Sequence, residues 1–304
     1  MIQLPTILQQ LRAFCFQNNC TDIDTTLTYF SVFGGMGWSV DTTKPLSQLI
    51  EEKVLKNYKY IHADITTITQ SNQTRHAILS ALATGDRREH AAFKKAKVSR
   101  RDGENIINFL IENDLLILEN SMEKPLKDEE ISDKLNFAQP FMRFWFSAIS
   151  PYYKGIKAGD FKEMQEKWEN TQHDFANTTT TQLVHALIEK NFESDDPIQK
   201  IGGYWDKSIE LDILATTQSG KCIAGICKFS KNKAGKNDLQ KLQEDCEKAG
   251  LKVDTFVIYS KNKFSNELKK TRDMPLLLLS QKHLTKLLEE LSKEDALEHK
   301  NKRY

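Results

Sequence analysis

Ile201-Gly-Gly-Tyr-Trp205-Asp-Lys-Ser-Ile-Glu210-Leu-Asp212-Ile-Leu-Ala215 and, after a Gln218-Ser-Gly220 turn, Lys221-Cys-Ile-Ala-Gly225-Ile226-Cys227-Lys228-Phe229 form the stretch on which the reading of this chain turns. Its apolar runs predict two strands, 208–216 and 221–229, joined by a tight turn. Side chains alternate along a strand, so Glu210 and Asp212 share one face of the first and Ile226 and Lys228 one face of the second. Carboxylates on one strand and a lysine on its neighbour are the raw material of a polar site inside an apolar sheet.

The pattern extends outward from this hairpin. Gln182 to Phe192 has helical spacing, as do Asn237 to Ala249, closed by Gly250, and the shorter Phe264 to Arg272. Val253 to Ser260 and the leucine run from Leu276 read as strands, and Thr285 to Leu291 as a last helix. The order is helix, strand, strand, helix, strand, helix, strand, that of a small α/β sheet over residues 178–292. Asn177 with the four threonines after it marks the expected start of that domain, and residues 293–304 form a charged tail.

Upstream the chain is helical in character. Residues 1–70 hold amphipathic spacing from Leu4 to Phe14, a second helix from Thr25 to Phe33 capped by Asp22 or Thr21, and a third from Pro45 to Leu55. Gly34-Gly-Met-Gly37 reads as a turn, since no lysine with Ser or Thr follows at phosphate-loop spacing. Residues 71–130 have the rhythm of a winged helix-turn-helix. A helix from Thr74 to Gly85 precedes a basic helix capped by Asp86, a Ser99-capped recognition helix, a strand from Leu115, and a wing from Glu119 to Glu130. A recognition helix offers its N-terminal side chains to the major groove, here Arg100, Arg101, Glu104 and Asn105. The same module can instead dock another protein domain. Gly103 inside that helix costs helix propensity. Residues 131–177 are an aromatic-rich helical linker in which Phe141, Trp145 and Ile149 share a face.

Composition sets the outer bounds. With 304 residues, 39% of them hydrophobic and 28% charged, the chain has the profile of a multi-domain globular protein. No apolar run reaches the ~18 to 20 residues of a membrane span, and Met1-Ile-Gln-Leu-Pro lacks the basic start of a signal peptide. Five cysteines without a CxxC pair speak against zinc and for a reducing, cytoplasmic setting. The net charge is +1, so any polyanion surface must come from local patches. Two stand out: Arg87, Arg88, Lys94, Lys95, Lys97, Arg100 and Arg101, and then Lys228, Lys231, Lys233, Lys236 and Lys241.

Gly203-Tyr-Trp205-Asp, Glu210-Leu-Asp212-Ile and Gly225-Ile226-Cys-Lys228-Phe229 resemble the C-terminal domain of unknown function found in archaeal-type ATPases, as does the linker from Pro140 to Phe146. The resemblance covers about residues 72–292, without the ATPase domain. It implies a restriction-endonuclease-like (PD-(D/E)XK) fold, in which carboxylates hold Mg²⁺ or Mn²⁺ and a lysine stabilises charge on the scissile phosphate. Carried onto this chain, the catalytic set is Asp212, Lys228, Glu210 and Glu189, with Asp212 and Glu210 as metal ligands. The chain departs from the pattern at Ile226, where the family has glutamate, and an isoleucine cannot ligate a hard cation.

The expected architecture is therefore α then α/β: a helical N-terminal region, a winged helix-turn-helix, and a nuclease-like C-terminal domain. The expected function is binding of double-stranded DNA, or regulation, by a catalytically degenerate member, with Arg100, Arg101, Asn105, Lys95, Lys231 and Lys233 as the contact residues. The alternatives are a weak Mg²⁺- or Mn²⁺-dependent endonuclease, and an adaptor whose aromatic helix at 141–153 docks a protein partner such as an ATPase supplied by another chain.

Overall fold

The computed structural model describes residues 4–20, 22–122 and 131–297, so most of the expected wing and the end of the charged tail lie outside the described residues. A helical N-terminal region is followed by a C-terminal α/β region with a mixed five-stranded sheet. The chain divides into two compact units. The first holds residues 1–119, 132–179 and 290–304, and the second holds 120–131 and 180–289.

The first unit opens with α1 (Ile7–Asn18), started by Thr6, whose hydroxyl accepts from Gln9 N at 3.2 Å while the Gln9 amide oxygen accepts from Thr6 N at 2.8 Å. Asp22 is the cap of α2 (Ile23–Phe33), accepting from Thr25 N at 2.7 Å. The helix α3 (Leu46–Ile50) runs into a π-helical turn at Glu51–Leu55. A further helix, α4 (Tyr58–Ile68), closes this part. Then come α5 (Gln73–Thr84), α6 (Glu89–Ala96) and α7 (Arg100–Glu112), the last capped by the Ser99 hydroxyl. Asp86 does not cap α6. It sits two residues upstream of the cap position and accepts from the N–H of Arg88, the residue at that position.

After α7, β1 (Leu116–Glu119) pairs antiparallel with β2 (Lys134–Phe137). The aromatic pattern places 135–137 in the helical linker, and the structure corrects it. All four β2 residues are buried, Lys134 and Asn136 included, and Asn136 Nδ2 donates to Glu119 across the ladder at 2.9 Å. Gly103 also has an explanation: a methyl group there would stand 2.5 Å from the Phe93 ring, so its absence lets α7 press onto α6. Gly103→Ala should therefore destabilise by about 1–3 kcal/mol of overpacking, outweighing the gain of at most ~1 kcal/mol in helix propensity; urea titration of both forms checks the sign.

The aromatic segment is α8 (Pro140–Phe144), a π-helical turn at Trp145–Ile149 and a 3₁₀ turn at Ser150–Tyr152, followed by α9 (Tyr153–Lys157) and α10 (Lys162–Phe175). Phe141, Phe144, Trp145, Phe146 and Ile149 are each at most 1% exposed. Trp145 stacks on Tyr58 at 5.6 Å, Phe141 meets Trp38 edge-on at 5.0 Å, and Phe144 meets Trp168 edge-on at 4.9 Å. This face is the core of its own unit and is not left open to a partner. Arg143 lies over the Phe175 ring and donates to the Phe175 carbonyl at 2.7 Å. Burial, with the nearby Arg87 charge, lowers its pKa to about 10.

The chain enters the second unit inside α11 (Asn177–Phe192), which takes in all four threonines where a break was expected. The sheet runs β3 (Ile198–Trp205), β4 (Glu210–Thr217), β5 (Cys222–Lys228), β6 (Thr255–Ser260) and β7 (Leu276–Ser280) in chain order. The first two pairings are antiparallel and the last two parallel. The crossovers are α12 (Lys236–Lys248) and α13 (Asn266–Lys269), and the last helical piece is a 3₁₀ helix at Gln281–Leu288 in place of the expected helix at 285–291. Leu239, Leu242 and Cys246 of α12 pack on Ile258, Ala224, Leu211 and Leu214, with Ile226 beside them. At the free edge of β3, Met122 N donates to Gly203 O at 2.9 Å and the Ser121 hydroxyl bridges the Trp205 main chain. Backbone groups that would be open for pairing are covered there.

Candidate functional site

The site begins where β4 and β5 part. Their last paired residues are Ile213 and Gly225, so the next antiparallel step would set Cys227 N–H on the Leu211 carbonyl. A carboxylate takes that role instead: Asp212 Oδ2 accepts from Cys227 N at 2.7 Å. The Asp212 carbonyl meets His185 Nε2 of α11 at 2.8 Å. A one-residue register shift between Gly202 and Tyr204 on the β3–β4 ladder accompanies this departure. With it, Leu211 and Leu214, three residues apart, reach the same apolar cluster. Burial, reinforced by the Asp212 charge, drives the Cys227 thiol well above its ordinary pKa, so it is held as a thiol.

Lys228 belongs to a different arrangement. Its ammonium meets both carboxylate oxygens of Asp238 at 2.7 Å, and Asp238 Oδ2 also accepts from Gly235 N at 2.7 Å at the start of α12. Lys228 thus turns to α12, while Asp212 is tied to the β5 main chain. Asp238 is a site residue that the motif reading misses, although a carboxylate three residues past a glycine cap is a helix-start signal. Ile226 lies against the α12 cluster beside Ile258, its neighbour on β6.

Glu189 is exposed on α11 with no hydrogen-bonded or ionic partner among the described residues, and Glu210 is exposed at the start of β4. No three His, Cys, Asp or Glu side chains converge as a metal site among the described residues. The residues do not suit a hard divalent ion: one Asp212 oxygen is engaged by an N–H, the second-strand position is the apolar Ile226, and no third ligand joins them among the described residues. Trp205 is 1% exposed and serves as core, and the part-buried Tyr204 donates to Asp206 at 2.9 Å. These roles give a test. Asp212→Asn keeps an acceptor for Cys227 N–H and should cost less than ~1 kcal/mol, whereas Asp212→Ala orphans the N–H and should cost about 1–3 kcal/mol; chemical denaturation of both variants distinguishes them.

Lys231 and Lys233 are exposed on the loop after β5, and a second loop lies beside them. Ser230-Lys-Asn-Lys233 after β5 and Ser260-Lys-Asn-Lys263 after β6 are the same tetrapeptide, a repeat that a reading by charge runs passes over. The two are laced together. Lys261 N donates to Lys228 O at 3.0 Å, Asn262 Nδ2 to Ser230 O at 2.8 Å, and Ala234 N to Lys263 O at 2.9 Å. Lys231, Lys233, Lys261 and Lys263 are all exposed and have no carboxylate partner among the described residues. They stand at the carboxyl ends of parallel strands, where open α/β sheets bind their ligands.

The other predicted contact residues belong to the first unit. Arg101 and Asn105 are exposed on α7, Arg100 pairs with Glu104 at 2.8 Å, and Lys95 donates to the Thr84 hydroxyl at 2.6 Å. Arg87 and Arg88 leave the expected patch: Arg87 pairs with Glu119 at 3.0 Å and bonds Asn136, and Arg88 meets Asp86 at 3.7 Å.

Residues 145–241 match a family described as archaeal and bacterial proteins of unknown function, a span from the end of the aromatic core to the first half of α12. That match supports a domain of unknown function and covers less than half of the chain. No curated protein matches. Among solved structures, the chain is similar to protein VC1899 from Vibrio cholerae at 16% identity with a TM-score of 0.27, covering 70% of this chain. The chain spans about half of that protein, 49% of its length. No helix of the described residues is long and apolar enough to cross a membrane.

Proposed function

We propose that this chain binds nucleic acid through its phosphate backbone, and that its α/β unit is a restriction-endonuclease-like domain that has shed metal-dependent cleavage. The observation that carries the reading is the twin loop, four lysines without carboxylate partners among the described residues, held on two hydrogen-bonded turns in a chain whose net charge is only +1. Lysines fixed on a stiff frame neutralise phosphates without a large ordering cost, and each neutralised phosphate releases counterions. The order of α5, α6, α7, β1 and β2 supports a winged helix-turn-helix in the first unit, with Arg101 and Asn105 as its groove-facing residues. Loss of cleavage is supported by Ile226, by the Lys228–Asp238 pair and by the Asp212 bond to Cys227 N–H.

The experiment is titration of a fluorescent DNA duplex at rising salt. Affinity should fall steeply with a linear log–log slope, and a flat titration at low ionic strength would refute binding. Incubation of plasmid DNA with Mg²⁺ or Mn²⁺ should leave it intact; nicking by the native chain that disappears in Asp212→Ala would establish the nuclease alternative instead.

A further inference from the structure

The first helix ends in a backward turn that places two cysteines together. Asn19 adopts a left-handed conformation with φ 49°, and its N–H donates to the carbonyl of Cys15. The next N–H, that of Cys20, reaches the same carbonyl at 3.4 Å. In this helix ending the residue after the left-handed position folds back over the residue five before it, and their side chains meet. Here those residues are Cys15 and Cys20, and each thiol shifts the other's pKa. Cys15 is buried at 1% exposure, while Cys20 is part-exposed at the helix end. A disulfide spans Cα atoms about 4.4–6.8 Å apart, and a main-chain hydrogen bond between the same two residues holds them at close quarters.

We propose that Cys15 and Cys20 are a peroxide-reactive dithiol that closes to an intramolecular disulfide. Cys20 is the attacking group, being the accessible one. Its thiolate sulfur attacks one oxygen of hydrogen peroxide, the O–O bond breaks, and the departing hydroxide takes a proton to leave as water. Cys20 is then a sulfenic acid. The Cys15 sulfur attacks the Cys20 sulfur, the S–O bond breaks, and hydroxide leaves with the Cys15 proton as a second water. Two thiols lose two electrons and one peroxide gains them. The Cys15 side chain lowers the Cys20 pKa to about 7, and Cys20, with burial, raises that of Cys15. The attacking and resolving roles are thus separated within one pair.

The other three cysteines serve as internal controls. Cys246 is 2% exposed, and burial, with Cys222 nearby, pushes its thiol up to about 12. Cys227 is bonded to Thr181 and likewise held as a thiol by burial. The full-length protein is treated with hydrogen peroxide, alkylated under denaturing conditions and digested with trypsin. The peptide following Arg12 carries both Cys15 and Cys20. The expected result is that this peptide loses two hydrogens and escapes alkylation, reversibly with dithiothreitol, while Cys222, Cys227 and Cys246 remain alkylated. Cys20→Ser should abolish the product, and Cys15→Ser should leave a sulfenic acid on Cys20 that dimedone traps. Iodoacetamide should modify Cys20 in the native protein at a rate that rises through pH about 7. If the core change Cys15→Ser prevents folding, the native chain and Cys20→Ser still decide the matter. Full alkylation of both thiols after a dose that consumes free glutathione would overturn the proposal, as would a Cys20 disulfide to any other cysteine or to a second chain.

Discussion

Replacing Lys231, Lys233, Lys261 and Lys263 together by Gln is expected to weaken duplex DNA binding about a thousandfold at low salt. Each exposed lysine on a phosphate contributes on the order of 1 kcal/mol, and every ~1.4 kcal/mol is a factor of ten. The slope of log affinity against log salt should fall by roughly 3 to 4, near ~0.9 for each phosphate that is no longer neutralised. The frame should survive, because the bonds that lace the loops run through main-chain groups, Asn262 and Ser230 rather than the lysine side chains. A matched control separates the patch from bulk charge. Lys154, Lys157, Lys162 and Lys167 are exposed on α9 and α10, and changing all four to Gln removes the same net charge. If the surface at the strand ends is the binding site, the control should shift affinity by no more than about threefold through its long-range field. Equal losses in both quadruple variants would mean that net charge, not this surface, drives binding.

The twin loop is present in the sequence as two copies of Ser-Lys-Asn-Lys, yet it is legible there only as a run of charge. What makes it a site is the parallel pairing of β5 with β6, which sets the two copies side by side, and parallel neighbours are not read from local periodicity. The strands β5 to β7 are legible because their apolar runs are nearly unbroken, and β4 because Leu211 and Ile213 to Ala215 keep an apolar stretch around Asp212. By contrast β3 is not, since Lys200 and the Gly202-Gly203 pair interrupt its alternation, and β2 is hidden by the aromatic run that follows it. Asp212 and Lys228 stand out as the polar pair of the sheet, and the alternation that assigns each to a strand face is local. Their partners are not legible: a one-residue register shift and a carboxylate ten residues beyond Lys228 decide those, and both are tertiary facts. In the same way a cysteine spacing of five means little until a left-handed Asn19 folds one thiol over the other.

Trp145→Ala should cost about 3–5 kcal/mol, the range for truncating a fully buried large aromatic, against a domain stability of typically ~5–15 kcal/mol. The indole is 1% exposed, lies nearly parallel to the Tyr58 ring at 5.6 Å and has the Phe141 ring at 6.2 Å, so its removal leaves a cavity between two helices of the same unit. Aromatic pairs of this kind add about 0.5–1.5 kcal/mol to the burial itself. Tyr153, a few residues on and 46% exposed, has no comparable packing, and Tyr153→Ala should stay within about 0.5 kcal/mol of the native chain. The comparison decides between core and docking surface for the segment 141–153. A docking surface would tolerate truncation in the isolated chain and lose only a partner; a core loses its fold. Urea unfolding followed by tryptophan fluorescence should move the midpoint sharply downward for Trp145→Ala and hardly at all for Tyr153→Ala. Phe144→Ala, which strips the edge-on packing against Trp168 and Phe175, should behave as Trp145→Ala does. Native-like stability in both core variants would return the aromatic segment to the role of a partner surface.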